Sequence, residues 1–211
     1  MSYQDMKDDF VAILDRDDMT TAQADIFLRQ GMSRIQRTCR LPSMERAQLI
    51  TPTTFAMSEF PVPTDLIQII DILVPLSGNS VGQMTSLKRL SYRRLMEQPS
   101  TATPFAYARG QTLIYLRGSI PIGTQLQFLY YGNFSSFAST TADNELSASF
   151  PDFGVYAALS YAGDHFEHPL TAQWEARYQS IKTEVQSLAI DLETEGGVQV
   201  IEPIYAYNED C

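Results

Sequence analysis

A chain of 211 residues with a hydrophobic fraction of 44% can bury a core, which excludes global disorder. Its net charge of −10 lacks the basic footprint of a sequence-specific nucleic-acid binder, and two cysteines, Cys39 and Cys211, make no disulfide framework and fit a reducing, cytosolic site of synthesis. There is no apolar run of the ~18 residues a membrane helix needs, and the acidic start MSYQDMKDDF has no apolar stretch of the signal-peptide kind, so neither a membrane span nor a leader is expected.

Residues 5–16 predict a short helix with Met6, Phe10, Ile13 and Leu14 on one side, followed by a solvated turn at Asp15-Arg16-Asp17-Asp18. Thr20-Thr21-Ala22-Gln23 fits a capping box, in which the Thr20 hydroxyl and the Gln23 side chain satisfy reciprocal orphan donors. The helix it opens should run to about Cys39 with Leu28, Met32, Ile35 and Cys39 inside and Arg34, Arg37 and Arg40 as a basic flank, and Pro42 ends it.

From Leu41 to Tyr131 the periodicity becomes that of strands. Gln48–Ile50 and Thr53–Met57 are short β-prone pieces, and Pro61-Val62-Pro63-Thr64-Asp65-Leu66 is a turn stiffened by two prolines. Ile67–Val74 reads as a strand and Gly78-Asn79-Ser80 as a turn. Ser91–Gln98 predicts one or two helical turns, Phe105–Arg109 and Thr112–Leu116 a hairpin, Ile120–Gly123 a turn, and Gln125–Tyr131 a half-buried strand. Residues 132–149 are small and polar and read as a surface loop.

Pro151–Glu195 predicts two helices broken at His168-Pro169. The first is apolar on nearly all sides and rich in small residues, which permits close backbone packing and suggests a central position. The second carries Leu170, Trp174, Tyr178, Ile181, Val185, Leu188 and Leu192, with the 3, 4, 3, 4 spacing of a coiled-coil seam after Tyr178. Gly196-Gly197 stops it. The remainder, VQVIEPIYAYNEDC, has no helical period yet carries Val198, Val200, Ile201, Ile204, Tyr205 and Tyr207, so it needs a surface to dock on. The elements add up to an α+β fold: a helical bundle of the N-terminal helices and a long C-terminal helical hairpin, a β-rich insertion, and an extended tail. The expected segments are 1–42, 43–149, 150–195 and 196–211, acting as one structural unit.

Charge is unevenly distributed. Residues 1–28 hold two Lys/Arg and seven Asp/Glu, residues 29–117 hold eleven and five, and residues 118–211 hold two and thirteen. Acidity of this kind keeps a protein soluble, or repels nucleic acid, or meets a basic partner.

Chemical signatures are few. Asp164-His165-Phe166-Glu167-His168 places two histidines three apart, the spacing of a shared metal face, but the chain has no third histidine and its cysteines are distant. The favoured reading is a polar helix end, with the histidines near the negative pole of the dipole; the alternative is a metal-dependent hydrolase. Lys88, Arg89, Arg93 and Arg94 beside Tyr92 could serve a nucleic-acid-binding module, but with the overall negative charge a solvated basic face or a salt-bridging surface is the favoured reading. Nucleotide-binding glycine loops, nucleophile elbows and zinc-protease motifs are absent. Asn133-Phe134-Ser135 matches a glycosylation acceptor without the secretory signal that would give it meaning. In Tyr130-Tyr131 one ring is expected inside and one outside. No catalytic residue, metal or cofactor is assigned.

The order of short motifs is itself informative. Val62-Pro63-Thr64-Asp65-Leu66, Pro104-Phe105-Ala106-Tyr107, Thr112-Leu113-Ile114-Tyr115, Leu129-Tyr130-Tyr131 and Phe150-Pro151-Asp152 follow one another in that order. From about Thr20 to Glu195 the chain resembles tailed-bacteriophage head-to-tail adaptors, also called connector or head completion proteins. Residues 76–104 and 132–149 depart from that resemblance. It implies a non-enzymatic virion protein of the neck, made in the host cytoplasm. Twelve copies would form a ring beneath the portal protein, extend the DNA channel and offer a platform to the next tail or nozzle component. DNA would pass without specific binding, and no membrane would be involved. By the same resemblance Val198–Cys211 would be the portal-binding arm. Glu184, Asp191, Glu193 and Glu195 on the long helix would line the channel or face a partner, because carboxylates near a helix C-terminus oppose the dipole and invite another reason for their presence.

Overall fold

The computed structural model describes residues 1–75 and 84–194; the predicted turn at Gly78-Asn79-Ser80 and the C-terminal tail lie outside the described residues. Within them are six α-helices and two four-stranded sheets, an α+β architecture. The chain divides into two compact units, Met1–Pro42 with Phe137–Cys211, and Ser43–Ser136.

The first unit is helical. Helix α1 (Tyr3–Leu14) begins at a capping box in which Asp5 N–H donates to Ser2 Oγ and Ser2 N–H to the Asp5 carboxylate. It buries Met6, Phe10 and Leu14. Ile13 departs from the sequence expectation: it is exposed, because position 13 falls on the flank of a stripe set by the 6, 10, 14 spacing. Helix α2 (Thr21–Thr38) opens on the predicted Thr20–Gln23 box and ends one residue before Cys39. The predicted loop 132–149 contains a further short helix, α4 (Glu145–Ser149), capped reciprocally by Asn144 and Ser147.

Helix α5 (Pro151–His165) is the centre of this unit, with Phe153, Val155, Ala157, Ala158, Leu159 and Ala162 buried, and it packs on α1, α2 and α4. Its small residues set the spacing. A Cβ on Gly31 of α2 would lie 2.7 Å from Ala158 N, so the two backbones approach as closely as a missing side chain allows. Helix α6 (Thr171–Thr194) follows the break at His168-Pro169. Its seam is Trp174, Tyr178, Ile181, Val185 and Ala189. The expected Leu188 is instead 46% exposed: after Val185 the contact steps by four to Ala189 rather than by three. Phe153 of α5 stacks on Tyr178 of α6 at 5.2 Å between ring centroids.

The second unit is β-rich. One sheet has the order β1-β8-β3-β4, the other β2-β7-β6-β5. The strands are β1 (Glu45–Ile50), β2 (Met57–Pro61), β3 (Leu66–Pro75), β4 (Met84–Ser86), β5 (Lys88–Arg89), β6 (Ala106–Arg109), β7 (Leu113–Ile120) and β8 (Leu126–Gly132). All pairs are antiparallel except β5 with β6. Thr53–Phe55, expected as part of a strand, form a bend, and only Met57 of that stretch enters β2. Pro52 explains the break, having no N–H to donate to a ladder. Strands β7 and β8 alternate inside and half-outside along their whole length, and Phe60, Ile72, Ile114, Leu126 and Phe128 make one core drawn from both sheets. Helix α3 (Tyr92–Glu97), capped by Ser91, covers the other face of β6 by placing Leu95 against Ala106 and Ala108. Residues of β6 are therefore buried on both sides. Gly118 interrupts β7 at φ +113, and a Cβ there would meet Thr101 O and Thr103 O, both at 2.8 Å.

Candidate functional site

Four of the five short motifs lie in the β-rich unit, while Phe150-Pro151-Asp152 opens α5 in the helical unit. Tyr130 Oη donates to Asp65 Oδ1 at 3.2 Å, and Asn133 N–H donates to Asp65 O at 2.8 Å, tying the Pro-Thr-Asp turn to the end of β8. Val62 N–H donates to Thr112 O at 2.9 Å, joining the same turn to the start of β7. Burial, then the neighbouring Asp65 carboxylate, raises the Tyr130 phenol above its ordinary range. Tyr130 is the inside ring and Tyr131 is half-buried, as alternation expects.

Helix α6 carries the acidic candidates. Glu184 is exposed and accepts a hydrogen bond from Ser180 Oγ at 3.0 Å. Asp191, seven residues on and so two turns along the same face, is exposed too. Leu188 and Ile190 lie exposed beside them. Glu193 falls in the last turn of α6. Glu195 and the tail candidates Val198, Val200, Ile201, Ile204, Tyr205 and Tyr207 lie outside the described residues.

What fixes α6 was not visible in the sequence. Arg34 of α2 grips Glu175 with two parallel hydrogen bonds, Nη1 to Oε2 at 2.8 Å and Nη2 to Oε1 at 2.6 Å. The guanidinium also lies 4.1 Å from the centroid of the Tyr178 ring. The hydrogen bond from Arg34 pulls the Glu175 carboxyl down from 4.5 to about 2, against an opposing push from burial. A second partly buried pair, Lys7 Nζ to Asp25 Oδ1 at 2.6 Å, holds α1 to α2, and Tyr3 Oη adds a hydrogen bond to the same oxygen at 2.7 Å.

The histidine cluster has a structural explanation. His168 N–H donates to Gly163 O at 2.9 Å and Glu167 N–H to Asp164 O at 3.4 Å, the paired bonds of a Schellman motif at the end of α5. Glu167 takes the left-handed position at φ +50. His165 packs against Phe27 with 5.5 Å between centroids, whereas His168 stacks on Trp174 at 4.5 Å and its Nδ1 accepts from Leu170 N–H. The two imidazoles thus serve different aromatic partners. Among the described residues, no three His, Cys, Asp or Glu side chains converge as a metal site.

The basic group is a coherent edge of the second unit. Lys88 and Arg89 are on β5, Arg93 and Arg94 on α3, and all four are exposed. Arg93 pairs along its own helix with Glu97 at 3.1 Å; Lys88, Arg89 and Arg94 form no ion pair among the described residues. Two apolar side chains of α3 accompany them: Tyr92 is 51% and Met96 43% exposed. A groove of about 350 Å³ opens beside α3, lined by Tyr92, Met96, Tyr115, Arg117, Ser58 and Glu59. Tyr92 meets Tyr115 edge to face at 4.9 Å. Elsewhere on this unit Phe55 stands 79% exposed at the bend before β2, an apolar tip that the expectation of a strand concealed.

No helix among the described residues is long and apolar enough to cross a membrane. Comparison with protein-family models finds that residues 1–199 match the model described as SU10 adaptor protein. No curated protein matches the chain.

Proposed function

The chain belongs to the SU10 adaptor protein family, a family of phage head-tail adaptors, and from that premise we propose that it is a structural joint of the virion neck rather than an enzyme. The match over residues 1–199 is the observation that carries this reading. In it, copies assemble as a ring, of twelve by resemblance, beneath the portal protein. The ring continues the DNA channel and presents a platform to the next tail component.

Helices α5 and α6 act as a helical hairpin from which the extended C-terminal tail leaves. The apolar residues Val198, Val200, Ile201, Ile204, Tyr205 and Tyr207 form the portal-binding arm. Glu184, Asp191, Glu193 and Glu195 face the channel or a neighbour. Repeated around a ring, they would give a wall that phosphates avoid, so that DNA slides without sticking.

Electron microscopy of the protein mixed with portal tests the proposal. The expected result is a ring with an axial channel on the portal, lost when the chain is cut after Glu195. Absence of a ring both alone and with portal, together with portal binding that survives the cut, overturns it.

A further inference from the structure

We propose that the basic edge beside α3 is the docking site for helix α1 of a second copy of this chain. The inference rests on the self-assembly reading above and names the surfaces that would carry it.

The two compact units differ in charge. Ser43–Ser136 contains seven Lys/Arg and five Asp/Glu, a net +2, and the rest of the chain contains eight and twenty, a net −12. The positive excess is displayed at the edge of the β-rich unit, where Lys88, Arg89 and Arg94 stand exposed without an ion pair among the described residues. Exposed Tyr92 and Met96, one helical turn apart on α3, place an apolar strip within this basic field and form one wall of the adjoining groove.

Helix α1 presents the complementary surface. Its inward stripe of Met6, Phe10 and Leu14 is buried, and the one lysine of the helix, Lys7, is buried against Asp25. The outward face is thereby left with Asp5, Asp8 and Asp9 exposed and no cation among them. Val11 and Ile13, both 39% exposed, flank the next turn. The acidic face of α1, with Val11 on one flank and Ile13 on the other, is opposite in charge to the arginines beside Tyr92 and Met96. The carboxylates meet Lys88, Arg89, Arg93 and Arg94, while one apolar flank of α1 lies over Tyr92 and Met96. Such a contact is heterologous: each copy offers its α1 to one neighbour and its basic edge to another, the kind of contact that closes into rings. Solvated charges set its partner choice and on-rate, so it weakens with salt.

Two charge-reversed variants test it, Asp8→Lys/Asp9→Lys and Arg93→Glu/Arg94→Glu; Asp5 is spared because it caps α1. Both pairs of positions are exposed, so the folds should survive, and circular dichroism confirms this before assembly is measured. Association is followed by sedimentation velocity and native mass spectrometry, with portal added. Each variant alone should associate at least ~10-fold more weakly than the wild type, because like charges then face each other. An equimolar mixture of the two should regain wild-type association, since every junction again joins opposite charges. Cross-linking between isotopically light and heavy copies should join α1 of one to α3 of another. Wild-type association that neither reversal weakens, or a mixture that stays dissociated, overturns the docking site while leaving the ring reading intact. Loss of duplex DNA binding in Arg93→Glu/Arg94→Glu with association unchanged would assign the edge to nucleic acid instead. A wild type that never associates, alone or with portal, overturns both readings.

Discussion

Replacing Gly31 by alanine sets two opposing terms against each other. Glycine within a helix is unfavourable, so on propensity alone Gly31→Ala would stabilise α2 by ~1 kcal/mol. The new methyl, however, would lie 2.7 Å from Ala158 N, 3.1 Å from Ala157 C and 3.2 Å from Ala157 Cβ. Two of these three neighbours are backbone atoms of α5, which cannot rotate aside as a side chain does. The closest approach is roughly 0.7 Å short of ordinary contact, so the helices must part along their shared face. Overpacking of this kind costs ~1–3 kcal/mol, and the backbone neighbours put it near the upper end. The net expectation is a loss of ~1–2 kcal/mol, a fall of ~2–8 °C in Tm for a chain of this size. Thermal unfolding by circular dichroism measures it, with Ser33→Ala, an exposed site in the same helix, as the propensity control. Ser33→Ala should be neutral or mildly stabilising. If Gly31→Ala melts at or above the wild type, the close approach of α2 and α5 does not limit packing and the reasoning is wrong.

Glu175→Gln removes the carboxylate that Arg34 grips; because the Glu175 side chain is 38% exposed, solvent screens the pair and the expected loss at neutral pH is ~1 kcal/mol. The folded-state carboxyl titrates at about 2, below 4.5, so the contribution is complete above 4.5 and disappears as pH falls through about 2; urea titrations across that window should show the two proteins converging. Glu167→Gly should stabilise by ~0.5–1 kcal/mol, since glycine adopts the left-handed position at φ +50 without a Cβ penalty, and a lower urea midpoint would contradict the cap described at α5. Leu188→Ala should cost no more than ~0.5 kcal/mol in the isolated protein, whereas Ala189→Leu should cost ~1–3 kcal/mol; the opposite order would restore the heptad seam.

Local rules carried much of the fold. The Thr20–Gln23 box, the α3 turn, the β6–β7 hairpin and the break at His168-Pro169 all follow from interactions within a few residues, and each is present. Helix α4 was hidden because its cap, Asn144 with Ser147, looks like any other polar loop and only five residues follow. The Ser2–Asp5 box was legible in principle, as a serine with an acid three residues on, but carried no apolar run immediately behind it. The seam of α6 differs from the pattern at two positions: Leu170 is 39% exposed and precedes the helix, and after Val185 the contact falls on Ala189 rather than Leu188, because i+3 and i+4 are both helix neighbours and the apolar pattern favours the larger side chain. Of the candidate surfaces, the basic edge was legible as four clustered cations. Tyr92 and Met96 join it because Leu95 takes the inward position on α3, which the sequence of so short a helix does not specify. The Arg34–Glu175 grip joins residues 141 apart, and no periodicity encodes such a distance.

The helical unit is discontinuous in sequence, and this governs the order in which the protein can be made. Helices α1 and α2 leave the ribosome before α5, which begins at Pro151 and is the surface that covers them. At elongation rates of ~5–20 residues per second, their apolar stripes wait roughly 5–20 s for that partner. In the interval Ser43–Ser136 is synthesised in one piece, and its two sheets contain all of their own strands. The middle of the chain therefore completes its hydrogen-bonded ladders before the first two helices can be finished. Over the first 28 residues seven Asp/Glu outweigh two Lys/Arg, and like charge of that kind opposes association of the apolar stripes while they wait.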